Sequence, residues 1–334
     1  MLRRGEQAYG YAKACGIIGK SFVGKRIFDL NGVSRLSDLD RLIFPQSAGN
    51  LPEKELLVDM EARIIQRSVK QILALVRDFI EPPDVLVQLI RSYEYEDMKR
   101  VLNTIAIGET KNPGFTDIGR FRRVAFEAYP DVEAMVRGTE FEGLLKGGRW
   151  SQQDTVDLQI KLDGLYYTGL WQDLKPLGRR ERGTIERILG EEIALRNAVW
   201  VLRLRTYYNL SADRIREKLI RLGPPQCFAP AAAALILPLE SYGPWSRWKY
   251  VSLLNPENPQ QHWKVDPRYV QNAASEYLYR LVRLSFRHWP FAMDSIFCFI
   301  KLKQFEEDLL TSVAEGLGMG IPIQDVFTLL EVEP

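Results

Sequence analysis

Cysteine and histidine are scarce in this chain, and their scarcity excludes several classes of protein. Three cysteines (Cys15, Cys227 and Cys298) are spread over 334 residues, so they predict neither a disulfide framework nor a paired-cysteine metal site. The two histidines, His262 and His288, have no HExxH or ExxH spacing, which removes the usual ligands of a zinc or di-iron site. We therefore expect a protein of a reducing compartment that binds no metal or other cofactor.

The chain also has no long hydrophobic run and no excess of charge of either sign. Its most apolar stretch, at 228–239, is shorter than the roughly 20 residues of a membrane helix, and prolines interrupt it. With 45 basic and 43 acidic residues the net charge is +2, and basic clusters such as "GRRER" at 178–182 are short. The sequence therefore predicts no transmembrane helix and no nucleic-acid partner.

Strand-like alternation is rare, whereas apolar residues with the three-four spacing of amphipathic helices occur throughout the chain. They predict long helices at 54–80, from Asp84 through the stretch at 92–103, and at 156–174, 184–210, 267–289 and 293–317. Pro82 and Pro83 end the first of these, because proline lacks the backbone N–H and clashes with the preceding turn. The sequence therefore predicts an all-α fold.

Two weak patterns recur three times along the chain with nearly the same spacing. In the first pattern, a polar residue is followed directly by an apolar residue, and an aliphatic residue lies five positions after the polar one. The polar residues are Asp97, Asn197 and Asp308, which are 100 and 111 residues apart. The second precedes the first by 54, 52 and 54 residues and ends in Ile43, Leu145 and Leu254. The constant offset indicates three copies of one unit.

We therefore expect three similar helical subdomains, at residues 1–112, 113–222 and 223–334. Units of this length exceed the roughly 20–50 residues of solenoid repeats. Three copies of a larger unit are instead expected to sit around a pseudo-threefold axis.

The stretch "SYEYEDMKRVLN" at 92–103 has the composition of an acid/base cluster, but a structural role fits it better. Lys99 and Arg100 would hold the nearby carboxylates ionised, whereas a catalytic pair needs one carboxyl with a raised pKa. The matching residue Asn197 cannot act as an acid or base. The repeated residues Asp97, Asn197 and Asp308 are therefore expected to bind neighbouring backbone groups at an equivalent turn.

The stretch from Ala14 to Ser21, "ACGIIGKS", resembles a degenerate phosphate-binding loop. That motif requires GxxxxGK[ST], since its glycines let backbone N–H groups surround the phosphates. Here Ala14 replaces the first glycine, and no apolar strand precedes it. A nucleotide-binding enzyme using this stretch remains an alternative, beside the simpler interpretation of a helix with closely packed small residues.

An aromatic segment at 242–254 interleaves Trp245 and Trp248 with Arg247 and Lys249. Tryptophan and arginine are favoured anchors of protein interfaces, so these four residues are candidates for docking a partner. The same aromatic rings could stack on single-stranded bases. Packing in a core beside a loop is the simplest interpretation.

Five motifs, in order along nearly the whole chain, resemble the family of central-stalk subunits of V-type and A-type ATPases, which is designated C in prokaryotes and d in eukaryotes. They are "YGYAKA" from Tyr9, "YEYEDMKRVLN" from Tyr93, "LDGLYYTGL" from Leu162, "EEIALRNAVWVLR" from Glu191 and "FEEDLLTSVAEG" from Phe305.

The resemblance implies a funnel-shaped, non-catalytic rotor subunit in which three similar helical subdomains surround an axis. It implies two partners, the central shaft of the ATPase and the membrane proteolipid ring, and no small-molecule substrate. It places the protein in the cytoplasm, peripheral to the membrane, where it would couple ATP hydrolysis or synthesis to proton or sodium transport. A generic helical scaffold remains a further alternative.

Overall fold

The fold is described from a computed structural model for residues 4–46, 51–109, 111–147, 150–257 and 262–330. Over these residues the chain is helical and contains no strand, which confirms the predicted fold class. The α-helices, in chain order, are α1 (Arg4–Ile18), α2 (Leu36–Ile43), α3 (Glu53–Val76), α4 (Asp84–Ala106), α5 (Val132–Val136), α6 (Glu142–Leu145), α7 (Gln152–Gln172), α8 (Arg179–Tyr208), α9 (Ala212–Glu217), α10 (Ala229–Ile236), α11 (Pro267–His288), α12 (Met293–Gly318) and α13 (Ile323–Leu330). Short 3-10 helices lie in the connections, at Lys25–Gly32, Gly119–Phe121, Phe126–Ala128, Pro225–Cys227, Gly243–Arg247 and Val251–Leu253.

Local sequence signals account for where the long helices begin. Ser151 and Asp154 form a reciprocal cap at the start of α7, in which the Ser151 backbone N–H donates to the Asp154 carboxylate at 2.8 Å. Asp266 caps α11 by accepting from the Arg268 N–H at 2.9 Å. Asp84 is the first residue of α4, where its negative charge interacts favourably with the positive end of the helix dipole.

The helix predicted for 54–80 ends four residues early, at Val76. At this end the ammonium of Lys13 donates to the Ala74 carbonyl at 2.7 Å and to Asp78 at 2.5 Å. These bonds satisfy a carbonyl group of the last helical turn. The chain then turns so that Phe79 enters the core.

Each third of the chain presents the same order of elements. A short helix ends at or beside the repeated aliphatic residue, which is buried in all three cases: Ile43 in α2, Leu145 in α6, and Leu254 after the 3-10 helix Val251–Leu253. A long outer helix follows (α3, α7 or α11), and then a second long helix (α4, α8 or α12), which we call the inner helix. The boundaries near 112 and 222 remain predictions.

The long helices contact one another in a cyclic order. The inner helix α4 packs against the outer helix α7, α8 packs against α11, and α12 packs against α3 of the first third. In addition, α12 contacts both α4 and α8. This closed order is compatible with the expected pseudo-threefold arrangement.

The inner helices run parallel, so their C-terminal ends lie at one end of the molecule. For α8 and α12 this direction follows from the hydrogen-bonded pairs Glu181–Met293 and Glu192–Lys301. For α4 it follows because both α4 and α8 are antiparallel to α7. The pairs between α4 and α7 are Asn103–Gln159 and Lys99–Asp163, and those between α8 and α7 are Arg196–Asp163 and Glu192–Tyr167. In contrast, α8 and α11 are antiparallel, because Arg187 bonds Ser285 whereas Arg203 bonds Gln271.

The hydrophobic core is continuous across the predicted boundaries between subdomains. One cluster joins the C-terminal half of α8 to the aromatic segment at 242–254 and to the first half of α11. Another joins the C-terminal half of α12 and α13 to the N-terminal segment and to α3. Each inner helix is therefore held by residues of the next third, and the last is held by the first.

Candidate functional site: the central cavity

A cavity of about 360 Å³ lies among α7, α8, α11 and α12. One part of its wall is apolar and includes Leu195, Val199 and Leu278. The polar part is formed by the inner helices, which contribute Glu192, Arg196, Arg203, Lys301, Gln304 and Asp308. Arg203 and Asp308 are exposed, whereas the residues that open α12, from Met293 to Lys303, are buried. Along α12 the side chains are thus buried toward the N-terminal end and more exposed toward the C-terminal end. We call the end of the molecule at the C-terminal ends of the inner helices the open end, and the opposite end the closed end.

Ion pairs connect α4 and α8 through the outer helix α7. The ammonium of Lys99 lies 2.8 Å from one oxygen of Asp163, and the guanidinium of Arg196 lies 2.9 Å from the other. Asp163 is buried, so its carboxylate is shielded from water and held between two cations. Lys99 also pairs with Glu96 on the open side, at 2.7 Å. These contacts fix the spacing of the two inner helices.

A second group of polar contacts connects α8 and α12. The Tyr167 hydroxyl donates to Glu192 at 2.7 Å, and the Lys301 ammonium approaches the same carboxylate at 2.8 Å. Burial alone would raise the pKa of Glu192, but Lys301 and the hydrogen bonds of Lys301 and Tyr167 outweigh it and lower the pKa below its usual value. Glu192 is therefore a fixed negative charge in the cavity wall.

Asp308 lies on the same wall but has a different environment. It is exposed to the cavity, yet the surrounding helices desolvate its carboxyl group enough to raise its pKa to about 6. Lys301 opposes this shift, whereas the charges of Glu96 and Glu192 add to it. Asp308 is thus the cavity carboxyl group that titrates closest to neutral pH among those whose pKa shifts are described.

Asp97 and Asn197 are both buried, and each binds the backbone of the segment that follows its helix. Asp97 accepts hydrogen bonds from the Thr116 N–H at 2.8 Å and the Thr116 hydroxyl at 3.1 Å, and it pairs with Arg100. Asn197 accepts from the Ile220 N–H and donates to the Ile220 carbonyl, both at 2.9 Å. Burial raises the pKa of Asp97, although Arg100 and Thr116 oppose the shift.

In the third copy, the carboxylate that binds a connecting segment is Glu306, two residues before Asp308. It is buried, pairs with Lys303, and accepts from the Phe22 N–H at 2.7 Å. The three polar residues of the sequence repeat therefore occupy two kinds of position, since Asp308 faces the cavity whereas Asp97 and Asn197 face connecting segments. The run of three acids at 306–308 explains why the sequence alone did not single out Glu306.

The tryptophans of the aromatic segment lie in the core. Trp245 and Trp248 are buried, and their indole N–H groups donate to the carbonyls of Pro238 (2.7 Å) and Pro230 (2.9 Å). Arg247 and Lys249 are exposed, and Lys249 pairs with Glu191 at 2.6 Å. In this conformation only the two cations of the four docking candidates are accessible to a partner.

The stretch from Ala14 to Ser21 continues the helix α1 as far as Ile18 and then turns. Ala14 is buried in the core, and no strand precedes it in the described part of the chain. A phosphate-binding loop needs an open backbone between a strand and a helix. The local structure therefore gives no support to the nucleotide-binding alternative.

The C-terminal ends of the inner helices share a feature that the repeat pattern did not include. Each ends with an exposed apolar residue followed by a residue with a left-handed backbone: Ile107–Gly108 (φ +78°), Tyr208–Asn209 (φ +49°) and Met319–Gly320 (φ +73°). Glycine and asparagine adopt this conformation more readily than other residues and commonly end helices. We call Ile107, Tyr208 and Met319 the rim residues. Their spacings of 101 and 111 residues nearly repeat those of Asp97, Asn197 and Asp308, so the sequence could have revealed them.

Two general properties of the described residues bear on the class of site. None of the helices described is both long and apolar enough to cross a membrane. Within the same residues, no group of histidine, cysteine, aspartate and glutamate side chains is arranged to hold a metal ion.

Comparison with known proteins places the chain in a family. Residues 48–326 match the family described as ATP synthase (C/AC39) subunit. The chain is also 28% identical over 320 residues to an uncharacterized protein of Treponema pallidum (strain Nichols), covering 93% of this chain and 92% of that protein. The family match spans most of the cyclic set of helices around the cavity. The chain therefore belongs to the ATP synthase (C/AC39) subunit family, whose members are subunits of V/A-type rotary ATPases.

Proposed function

We propose that the protein is the non-catalytic rotor subunit that connects the central shaft of a V/A-type ATPase to the membrane proteolipid ring. In this role it couples ATP hydrolysis or synthesis on other subunits to proton or sodium transport. The observation that carries the proposal is the end of the molecule where the parallel inner helices finish in exposed rim residues, in a chain of this family. A surface of this kind suits the tip of a shaft.

The rim residues and the cavity wall give the open end the character of a protein interface. Ile107, Tyr208 and Met319 are exposed apolar side chains at corresponding helix ends, and a polar wall lies behind them. Interfaces commonly combine apolar anchors with charged groups that set the orientation of the partner. The proposal assigns the open end to the shaft and the closed end, where α4, α8 and α12 begin, to the proteolipid ring.

The packing of the helices suits a part that transmits torque. Each long inner helix packs against the outer helix of the next third, so a force on one third passes to the other two. The ion pairs of Lys99, Asp163 and Arg196 link α4, α7 and α8 to one another. Close-packed helices resist deformation, and a rigid body transmits rotation without storing it as internal strain.

Cysteine crosslinking in the intact ATPase tests this orientation. Cys15 is the exposed native cysteine among the three, so Cys15→Ser supplies the background, and Met319→Cys or Tyr208→Cys places a thiol at the rim. A short bis-maleimide is expected to join either variant to a shaft protein, identified by mass spectrometry. Ile236→Cys, which is equally exposed but lies on α10, is the matched control and should not react with the shaft. Rim thiols that join the proteolipid instead would refute the orientation.

The coupling role has a separate test. Membranes from cells that lack this chain are expected to retain ATP hydrolysis by the catalytic head but to lose ATP-driven ion uptake. Adding back the wild-type chain should restore uptake. Ion uptake that continues at the normal rate without the chain would exclude the rotor role.

A further inference from the structure

A cluster of unbalanced positive charge lies where the N-terminal end of α8 meets the C-terminal end of α11. Its exposed arginines are Arg179, Arg180, Arg182 and Arg187 on α8, and Arg283 and Arg287 on α11. The two helices are joined there by the bond from Arg187 to the Ser285 hydroxyl, at 3.2 Å. The chain as a whole has a net charge of only +2, so this density of cations is a local feature.

The acidic residues nearest to these arginines do not neutralise them. Glu181 is buried and accepts from the Met293 N–H at 3.2 Å. Glu186 is paired with one of the six arginines, Arg182, at 2.6 Å. Asp294 is buried at the first turn of α12, and burial raises its pKa. Most of the positive charge therefore faces solvent.

Large apolar side chains are exposed beside the arginines. Leu284 is 71% exposed, Trp289 43% and Phe291 55%. The guanidinium of Arg180 lies 4.9 Å from the centre of the Trp289 ring, so this arginine and this tryptophan share one surface. We call the six arginines with these three residues the basic-aromatic patch.

The backbone at Phe291 is in an unusual conformation. Its φ is +65°, in the left-handed region that a bulky residue rarely adopts. The ring lies edge-on to Tyr11 of α1 at 5.3 Å, yet more than half of the side chain remains in solvent. A strained backbone that holds an aromatic residue outward is typical of a binding surface.

We propose that the basic-aromatic patch binds an anionic lipid bilayer. Arginine attracts acidic headgroups, and tryptophan, phenylalanine and leucine beside it can enter the boundary between headgroups and acyl chains. The mixture of cationic and large apolar groups fits a bilayer better than nucleic acid, for which stacked aromatics along a basic groove are typical. The patch lies where α8 begins and α11 ends, away from the rim residues, at the end of the molecule that the proposed function directs toward the membrane. The proposal does not depend on the rotor role, since bilayer binding is a property of the chain alone.

Vesicle cosedimentation of the purified full chain tests the proposal. Binding is expected to vesicles of phosphatidylcholine with about 30% phosphatidylglycerol, and not to pure phosphatidylcholine, because the basic residues need an anionic surface. Raising the salt from about 0.05 M to about 0.5 M should release the protein, since the Debye length falls to a few ångströms. Absence of binding to the anionic vesicles would overturn the proposal.

Two double variants separate the charge from the apolar contact. Arg179→Gln/Arg287→Gln should lower the partition coefficient on anionic vesicles by about 25-fold, since each basic residue near such a surface contributes about fivefold. Leu284→Ser/Phe291→Gly should lower it by about tenfold or more through loss of apolar insertion. Glycine adopts the φ of Phe291 without strain, so this variant should fold.

Matched controls carry the same changes elsewhere on the surface. Arg214→Gln/Lys264→Gln removes two exposed cations, and Ile236→Ser removes an exposed apolar side chain, all distant from the patch in sequence. Each control should bind vesicles as the wild type does. Equal losses of vesicle binding in the controls and in the patch variants would identify a general polycation effect and overturn the assignment to lipid. The same conclusion would follow if the apolar double variant bound vesicles normally and the chain bound single-stranded DNA equally well.

Discussion

Asn197→Ala should lower the free energy of unfolding substantially, because the side chain is buried and hydrogen-bonded inside the protein. Asn197 is buried at the centre of α8, and its side chain satisfies both the N–H and the carbonyl of Ile220 at 2.9 Å. Alanine would leave both backbone groups buried without their bonds. An unsatisfied buried donor or acceptor costs about 1–3 kcal/mol, so the pair predicts a loss of about 4 kcal/mol.

Urea unfolding followed by far-UV circular dichroism measures this loss. The matched control is Asp308→Ala, which changes a residue of the same repeat that is exposed to the cavity and should alter stability by less than about 1 kcal/mol. Asn197→Asp keeps the acceptor for the Ile220 N–H but loses the donor to the carbonyl. It should therefore be destabilised most at pH values where the new carboxyl group is ionised and faces that carbonyl.

A loss below about 1 kcal/mol for Asn197→Ala would refute the reasoning, since it would show that water or a rearranged segment replaces both bonds. An equal loss in Asp308→Ala would refute the distinction between the two kinds of repeat position. Asp97→Ala provides an independent check, because it removes the acceptor of the Thr116 N–H and hydroxyl and should cost about as much as Asn197→Ala.

Three further predictions concern single contacts. Burial raises the pKa of Glu307 to about 8; the charge of Asp308 adds to this shift, whereas Lys303 and the hydrogen bond from Tyr93 oppose it. The folded state therefore holds the proton of the Glu307 carboxyl group more tightly than the unfolded state does. Its contribution to stability should be complete below the normal pKa of 4.5 and be lost as the pH rises through about 8, and Glu307→Gln should flatten this part of a stability-against-pH curve. Gly316→Ala should lower the unfolding free energy by about 1–3 kcal/mol, because the new Cβ would lie 2.5 Å from a methyl group of Val326 and push α13 from α12. The control Gly183→Ala, whose new Cβ would have no atom within 4 Å, should not lower it. Trp245→Ala should cost about 3–5 kcal/mol through loss of a buried indole, whereas exposed Arg247→Ala should cost less than about 1 kcal/mol, both measured by urea unfolding.

The helices could be predicted because their signals are local. Apolar spacing placed all six long helices within a few residues of their positions, and the proline pair before Asp84 gave the start of α4. The early end of α3 could not be predicted in the same way. A carbonyl of its last turn accepts from Lys13, which lies 61 residues from Ala74 in sequence and reaches it only in the folded chain.

The candidate site was predicted less completely than the fold. The repeat identified Asp97 and Asn197, and their hydrogen bonds to connecting segments are of the kind expected for a polar residue among apolar neighbours. The repeat could not show whether Glu306 or Asp308 binds the connecting segment, since nearby acids on a helix differ only in the face they occupy. That face is set by packing against α1 and α3, which no local pattern records.

The two ends of the inner helices differ in a way that bears on the proposed rotor role. The first turn of α12 and, apart from Asp84, that of α4 are buried, whereas the rim residues Ile107 and Met319 after their last turns are exposed. A protein that joins a shaft to a membrane ring needs two unlike surfaces on one rigid body. Here the rim residues lie at the C-terminal ends of the inner helices, and the patch lies on α8 and on α11, which packs against it. Rotation applied at the rim would therefore reach the basic-aromatic patch without passing through a flexible connection.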